Sequence, residues 1–423
     1  MNIVLLNHYA GSPSHGMEYR PYYMAKYWVR NGHSVTIIGS SFSHLRSNQP
    51  ATRWYRIFNE DFIDGIRYIW IRGNSYSDNN IFRFINILTY TFFGMFINRR
   101  IDKCDLVITS STYPLDIFPA SKIRSKFPNS VLIFEPHDLW PMTLYEIGNF
   151  KRSHPLVHLM QYAEDLSCKR SDAIVSMHPQ NIDHLETRGC CRNMFYHIPN
   201  GVDLETWEGN GTIPIKISEL IDTLKNRGSK IVMYTGSVSM ANNLRVLIDV
   251  AHELRSINIA FVIVGDGPDR RFIEELSIDR AINLFCVGSV DKNCMSSLLK
   301  LTDICYVGFK HSPLYKFGMS ANKLWDYMMA GKPILMSINS SNDPVGEAKC
   351  GITVSSGTAK DIADALRQLL QKTDLELERL GKNGQNFVKE NNSYQVLADR
   401  FINIVEEIKS NVPEGEKNER ESE

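Results

Sequence analysis

Short apolar runs, each closed by a glycine, proline or polar turn, recur along this chain. They alternate with stretches whose apolar residues fall at helical spacing. Residues 2–6 (Asn-Ile-Val-Leu-Leu) form the first such run and predict a buried strand. Residues 8–16 are a loop rich in Gly, Pro and Ser. A helix is predicted to begin near Met17, with Tyr23, Met24, Tyr27 and Trp28 on one face and a stop at Asn31-Gly32; residues 35–39 are the next strand. Strand, glycine-bearing loop, helix, strand is the opening of a doubly wound α/β domain. Residues 53–72 alternate about Asp64-Gly65, a hairpin signal, and 105–109, 131–135 and 173–176 supply further strands among helices at 154–170 and 179–188. A second α/β series starts at 231–236, continues through strands at 261–264, 283–288 and 303–308, and closes with helices near 358–372, 375–390 and 394–409.

One run stands apart. Residues 81–98 are the most apolar stretch and approach the length of a membrane span, but Arg83, Asn86 and Asn98 interrupt them and no second span exists. A helix packed on the sheet is expected, with a position on a bilayer surface as the second reading. The length of 423 residues suggests two domains. Hydrophobic content of 43% with 22% charged residues is that of a globular protein, and zero net charge argues against nucleic-acid binding as the main task. That zero conceals an offset: residues 1–198 carry 21 Lys+Arg against 16 Asp+Glu and hold ten of the 12 histidines. A basic first half suits an anionic acceptor or membrane surface. The eight cysteines show no CxxC pairing, and no signal peptide is visible at the start, so reduced thiols in a cytosol are expected.

The chemistry concentrates in two stretches. In Gly318-Met-Ser-Ala-Asn-Lys-Leu-Trp-Asp-Tyr-Met-Met-Ala-Gly-Lys-Pro-Ile334, Ser320 reads as an N-cap and Gly331 as the helix stop, with a buried strand over 333–336. Lys323 and Asp326, three residues apart, share a helix face near its positive end, where an ammonium can meet a diphosphate and a carboxylate can accept from both ribose hydroxyls. A surface i,i+3 ion pair explains the same spacing. The second stretch is Glu135-Pro-His-Asp-Leu-Trp-Pro141, which follows a buried strand and should project His137 and Asp138 from its carboxyl end. A strand-end histidine that caps nearby backbone is the competing reading. The loop Ser110-Ser-Thr-Tyr-Pro114 also sits at a strand's carboxyl end, and Gly265-Asp-Gly-Pro268 is ordinary turn chemistry. No Asp-x-Asp occurs, and no Ser/His/Asp or Cys/His arrangement has a telling spacing.

Lys323-Leu-Trp-Asp-Tyr-Met-Met-Ala-Gly-Lys-Pro333 resembles the donor-site signature of the family 4 retaining glycosyltransferases, which have the two-domain GT-B fold. Pro199-Asn-Gly-Val-Asp203 resembles that family's domain-switch signature, and Asp138-Leu-Trp-Pro141 its branch acting in bacterial surface-polysaccharide (O-antigen, capsule or colanic-acid type) assembly. The family's two acidic positions fall here on Gly318, which departs from the pattern, and Asp326. The resemblance implies two Rossmann-like α/β domains facing across a cleft: an acceptor-side domain at 1–198, a linker at 199–228, a nucleotide-sugar domain at 229–390, a helix at 391–410 crossing back to the first domain, and a disordered tail at 411–423. It implies catalytic roles for His137, Asp138 and Lys323. Donor-binding roles fall to Gly16, Gly236, Asn242, Gly265, Gly288, Ser289, Asn322, Lys323 and Asp326, and acceptor-side roles to Glu18, Ser111, Glu135 and Trp140. The donor would be a nucleotide sugar, with UDP as the nucleotide, and the acceptor a glycan or polyprenyl-diphosphate-linked sugar. No cofactor and no metal are expected, and the enzyme would sit in the cytoplasm, in peripheral contact with the inner membrane.

Two other functions fit parts of this pattern. A nucleotide-sugar epimerase can share the fold, though the Lys-Leu-Trp-Asp-Tyr and Asp-Leu-Trp-Pro motifs speak against it. A non-catalytic nucleotide-sugar-binding partner subunit would account for Gly318 and for Ser237 and Asn242 standing where the family often has Arg and Lys.

Overall fold

The computed structural model describes residues 1–77, 81–209 and 211–411, so the expected disordered tail lies, apart from Asn411, outside the described residues. The chain divides into two compact units. The first comprises residues 1–199 with the closing segment from Tyr394, and the second Asn200–Ser393.

In the first unit, β1 (Asn2–Leu6), β2 (Ser34–Ser40), β3 (Phe58–Ile63), β4 (Ile66–Ile71), β5 (Leu106–Thr109), β6 (Val131–Phe134), β7 (Ala173–Ser176) and β8 (Phe195–His197) form one sheet in the order β3-β4-β2-β1-β5-β6-β7-β8. Every neighbouring pair is parallel except β3 with β4. Those two make the expected hairpin, with Asp64 and Gly65 both at positive φ (50° and 80°), as a tight two-residue turn requires. The central strands are buried on both faces, which is why they read as unbroken apolar runs. The chain reverses its order of winding at β1, so the carboxyl ends of β1, β5 and β6 bound the place where such sheets bind ligands.

The first helix starts later than its pattern predicts. Helix α1 spans Arg20–Arg30, with Pro21 in its first turn. Residues up to Glu18 remain loop because their backbone groups are already engaged. The N–H of Gly11 donates to Glu18 O (2.8 Å), and that of Glu18 donates to Tyr9 O (3.2 Å). The closing helix Tyr394–Asn411 completes this unit. Tyr394 stacks on Tyr23 (ring centroids 5.0 Å apart), Phe401 meets Trp28 edge-on, and Trp28 Nε1 donates to Ala398 O (3.1 Å).

The apolar run folds as α2 (Ile81–Gly94) and a short 3-10 turn, Ile97–Arg100. Among the described residues no helix is long and apolar enough to cross a membrane. Its inner face carries Asn86, Ile87, Tyr90 and Thr91, with Asn86 bonded to His8 Nε2 (2.5 Å) and to Asn74 O (2.6 Å). Its outer face leaves Ile81, Phe82, Ile85, Leu88 and Phe92 exposed. The expectation of a helix against the sheet holds for one face only; the other is an exposed apolar stripe.

In the second unit, β9 (Lys230–Thr235), β10 (Ile259–Val264), β11 (Leu284–Val287), β12 (Ile304–Gly308), β13 (Ile334–Ser337) and β14 (Gly351–Val354) form a parallel sheet in the order β11-β10-β9-β12-β13-β14. Edge strand β14 was not anticipated; four half-buried residues carry too little apolar pattern to announce it. The helix Ile215–Asn226 packs Ile217, Ile221 and Leu224 into this unit's core, giving the stretch after Pro199 a structural role. All eight cysteines are free, most of them buried.

Candidate functional site

In the second unit the helix Asn322–Met329 buries Leu324, Trp325, Tyr327, Met328 and Met329 and leaves Lys323 and Asp326 on its less covered side. Ser320 is not its cap, contrary to the sequence reading. The helix opens at Ala321 without a side-chain cap, and Ser320 Oγ instead accepts the N–H of Asn200 (2.8 Å) while its carbonyl accepts Asn200 Nδ2 (2.9 Å). The Asn-Gly pair of the switch motif thus anchors the segment leading into this helix, and the first helical amides keep no side-chain acceptor. Gly331, at φ 68°, ends the helix as expected.

Lys323 and Asp326 do not pair. The Lys323 ammonium donates to Tyr234 Oη (2.5 Å) and Asn242 Oδ1 (3.0 Å) and lies 4.1 Å from the centre of the Tyr234 ring. Burial lowers its pKa to about 7. The Asp326 carboxylate has no hydrogen bond or ion pair among the described residues; burial raises its pKa, against the pull of Lys292. A surface ion pair therefore does not explain the spacing. Gly236, at φ 126°, turns the chain directly beside the ammonium, and a Cβ there would come within 3.1 Å of Lys323 Nζ. Gly236 and Gly265 close neighbouring strand ends, and with Ser237, Asp266, Ser289 and Met295 they line a depression of about 240 Å³. Gly288 precedes Ser289 at the end of β11; Asn322 is exposed at the start of the helix. Tyr234 was missed in the sequence because it reads as one more apolar residue of a buried strand.

The departure at Gly318 also has a backbone reason. Its φ of 104° lies where a side chain is strained, and its N–H closes a turn onto Tyr315 O (3.0 Å). A glutamate at this point would have to rebuild that turn.

The first unit holds a separate polar cluster. Arg20, Glu135 and His137 are 2%, 3% and 6% exposed, so their charges are met by one another rather than by water. Arg20 reaches Glu135 Oε1 through Nε (3.2 Å) and Nη2 (2.9 Å), and its remaining donors take the carbonyls of Pro199 (2.7 Å) and Ile198 (3.0 Å). Glu135 Oε2 accepts from Ser110 Oγ (2.5 Å) and lies 3.4 Å from His137 Nε2. Ser110 Oγ is also 2.9 Å from His137 Nε2, and His137 Nδ1 is 2.8 Å from Glu18 Oε1. Burial alone would strip the proton from His137, but Glu18 and Glu135 outweigh it and raise the pKa to about 10. Burial would likewise keep Glu135 neutral; Arg20 above all, with His137 and Ser110, holds it down at about 2.

Of the acceptor-side residues, Glu18 and Glu135 meet at His137. Ser111 does not: its Oγ accepts the N–H of His8 (2.8 Å), and Ser110 occupies the place beside the imidazole. Trp140 stands edge-on to Tyr113, with ring centroids 6.0 Å apart. Asp138 is exposed, and Gly16 belongs to the loop after β1, its N–H donating to Ser12 O (2.8 Å). Arg20 and Ser110 were not singled out in the sequence, where nothing marks a partner more than a hundred residues away in the case of Arg20.

Two family models match the chain: "Glycosyltransferase Family 4" over residues 14–206 and "Glycosyl transferases group 1" over residues 229–372. Sucrose-phosphate synthase from Thermosynechococcus elongatus superposes with a TM-score of 0.72 at 16% identity, covering 97% of this chain and 100% of that one. The Anabaena protein Alr3699/HepE, in complex with UDP and glucose, gives 0.63 at 14% identity over 96% of this chain and 99% of its own. WaaG, described as a glycosyltransferase involved in lipopolysaccharide biosynthesis, gives 0.65 at 14% over 96% and 99%. No curated protein matches in sequence.

Proposed function

We propose, for a chain that is a GT4-type glycosyltransferase of the GT-B fold, that it moves a sugar from a UDP-sugar to a glycan or polyprenyl-diphosphate-linked acceptor, with retention, in bacterial surface-polysaccharide assembly. The observation that carries this reading is the arrangement of Lys323 against Tyr234 and Asn242 beside the Gly236 turn, with the Asp326 carboxylate, unpaired among the described residues, one turn further on. The second unit binds the donor: Asp326 accepts from the ribose hydroxyls, and turn amides with Lys323 meet the diphosphate. The first unit supplies the acceptor side around His137. The bond from the anomeric carbon to the diphosphate oxygen breaks, and the acceptor hydroxyl bonds to the same face. Its proton passes to the departing phosphate, whose charge Lys323 stabilises. HepE with UDP and WaaG in lipopolysaccharide biosynthesis support the choice of nucleotide and pathway.

Incubating the purified chain with a panel of nucleotide sugars, with and without acceptors, tests this. Transfer by the chain alone is expected, whereas isomerised free nucleotide sugar would indicate an epimerase, and inactivity with every donor a binding subunit. In Asp326→Ala, UDP affinity measured by calorimetry should weaken by about 1.5–3 kcal/mol, the worth of hydrogen bonds to a charged acceptor; wild-type affinity would remove the ribose role. With Lys323 serving as the cation at the diphosphate, transfer should persist in EDTA, and a loss restored by Mg²⁺ would contradict this mechanism.

The outer stripe of α2 supports the peripheral membrane contact. Arg99 and Arg100 end the short 3-10 turn that comes after it, and both are exposed. Wild-type protein should therefore sediment with anionic vesicles at low salt. Phe82→Asp together with Phe92→Asp should abolish this while leaving thermal stability unchanged, because both rings are already exposed. Equal sedimentation of the variant would place any membrane contact elsewhere.

A further inference from the structure

The cluster around His137 contains more information than its membership. Ser110 has one hydroxyl proton, and its shortest contact, 2.5 Å, is to Glu135 Oε2. Once that proton is given to the carboxylate, Ser110 can only accept from His137 Nε2 at 2.9 Å, so Nε2 bears hydrogen. On the other side of the ring Nδ1 faces Glu18 Oε1 at 2.8 Å, and an ionised carboxylate only accepts, so Nδ1 bears hydrogen as well. Glu135 stays ionised because Arg20 presents two N–H groups to its other oxygen.

We propose that Arg20, Glu135, Ser110 and Glu18 are positioning residues that hold His137 as a fixed imidazolium, a donor and a cation rather than a base. The charges alternate along the row, Arg20 positive, Glu135 negative, His137 positive, Glu18 negative, so the buried cluster is neutral in sum. Only Glu18 is partly open to solvent, at 22% of its side chain, which makes it the end of the row that substrate can reach. The other groups near the ring do not undo the assignment. Burial lowers His178 to about 4, leaving it neutral, and raises Asp116 to about 7, while the exposed Asp138 carboxylate adds negative charge that favours the cation. A base at this position could take the acceptor's proton; an imidazolium cannot. With both N–H groups taken by Ser110 and Glu18, His137 acts through its charge, offsetting negative charge that builds on the substrate, and proton removal falls to another group.

What that cation contacts rests on the transferase reading; its protonation state does not. The test is nitrogen-15 NMR of the histidine rings in the full chain, with the His137 signals assigned by their loss in His137→Gln. Both ring nitrogens should appear protonated from about pH 6 to about pH 9, well above an ordinary histidine's titration. A single neutral tautomer at about pH 7.5 would overturn the proposal. Glu18→Gln, at a partly exposed position the fold can tolerate, should cost His137 about tenfold or more in proton affinity. An unmoved titration would remove Glu18 from the row. In the same variant the transfer rate should fall on the alkaline side at a lower pH than in wild type, a change that a merely structural carboxylate would not produce. If the rings prove cationic and no sugar is transferred, the transferase reading fails and this assignment stands.

Discussion

Lys323→Ala should lower kcat by about 10²–10³-fold, the range found when one preorganised donor to a developing anion is removed. The ammonium is already held, by Tyr234 and Asn242, where a side chain on Gly236 would collide with it, so it needs no reorganisation when charge appears on the leaving diphosphate. The loss should exceed the loss in ground-state UDP binding, since only interactions strengthened in the transition state raise turnover. A pH signature accompanies it. With a pKa of about 7 in the empty site, Lys323 gives up its proton as the pH rises above neutrality, and a bound dianion draws the proton back. UDP affinity should therefore decline above about pH 7 in the wild type and lose that slope in Lys323→Ala. An unchanged kcat with reduced protein yield would make Lys323 a packing residue.

Arg20→Met should destabilise the protein by about 3–5 kcal/mol in urea unfolding, because it strips both N–H donors from Glu135 Oε1 and leaves the buried cluster one positive charge short. Adding Glu135→Met should recover much of that loss, since an apolar pair needs no counter-charge. The sign of the pH dependence differs for the two partners of this cluster. Glu135 is depressed from an ordinary 4.5 to about 2, so its contribution is complete above about 4.5 and is lost as pH falls through about 2. His137 is raised from 6.5 to about 10, so its contribution is complete below 6.5 and disappears as pH rises through about 10. Together they favour the fold most between about pH 4.5 and 6.5. A wild-type stability profile that rises steadily from pH 6.5 to 10 would contradict this assignment of charges.

Where local rules suffice, the sequence was a reliable guide. Asp64-Gly65 announced its hairpin, the unbroken apolar runs announced central strands, and Gly331 announced a helix end. Ser320 shows where such rules stop: it has the chemistry of an N-cap and the right position, yet its hydroxyl is claimed by Asn200, 120 residues earlier. The late start of α1 has the same origin, since the backbone of Glu18 is bound within its loop. In the candidate site, motif spacing found Lys323, Asp326, Glu135 and His137. It could not find Tyr234, hidden in a strand pattern, nor choose Ser110 over Ser111, because neighbouring residues diverge in direction only once the turn is built. The polar inner face of α2 was equally invisible: Asn86 looked like an interruption of an apolar run and is instead the residue that ties the helix to His8.

The closing helix Tyr394–Asn411 carries a consequence for how this protein is made. Its partners in α1, Trp28 and Tyr23, leave the ribosome about 370 residues before Phe401 and Tyr394 arrive. The first unit therefore cannot be completed in the order of synthesis. During most of translation its aromatic ridge stands uncovered, while the second unit, contiguous from Asn200 to Ser393, can form as it emerges. The nascent first half must be protected or stay loosely folded until the 18-residue closing helix docks. A nonsense codon just before Tyr394 would then damage the half of the protein encoded first.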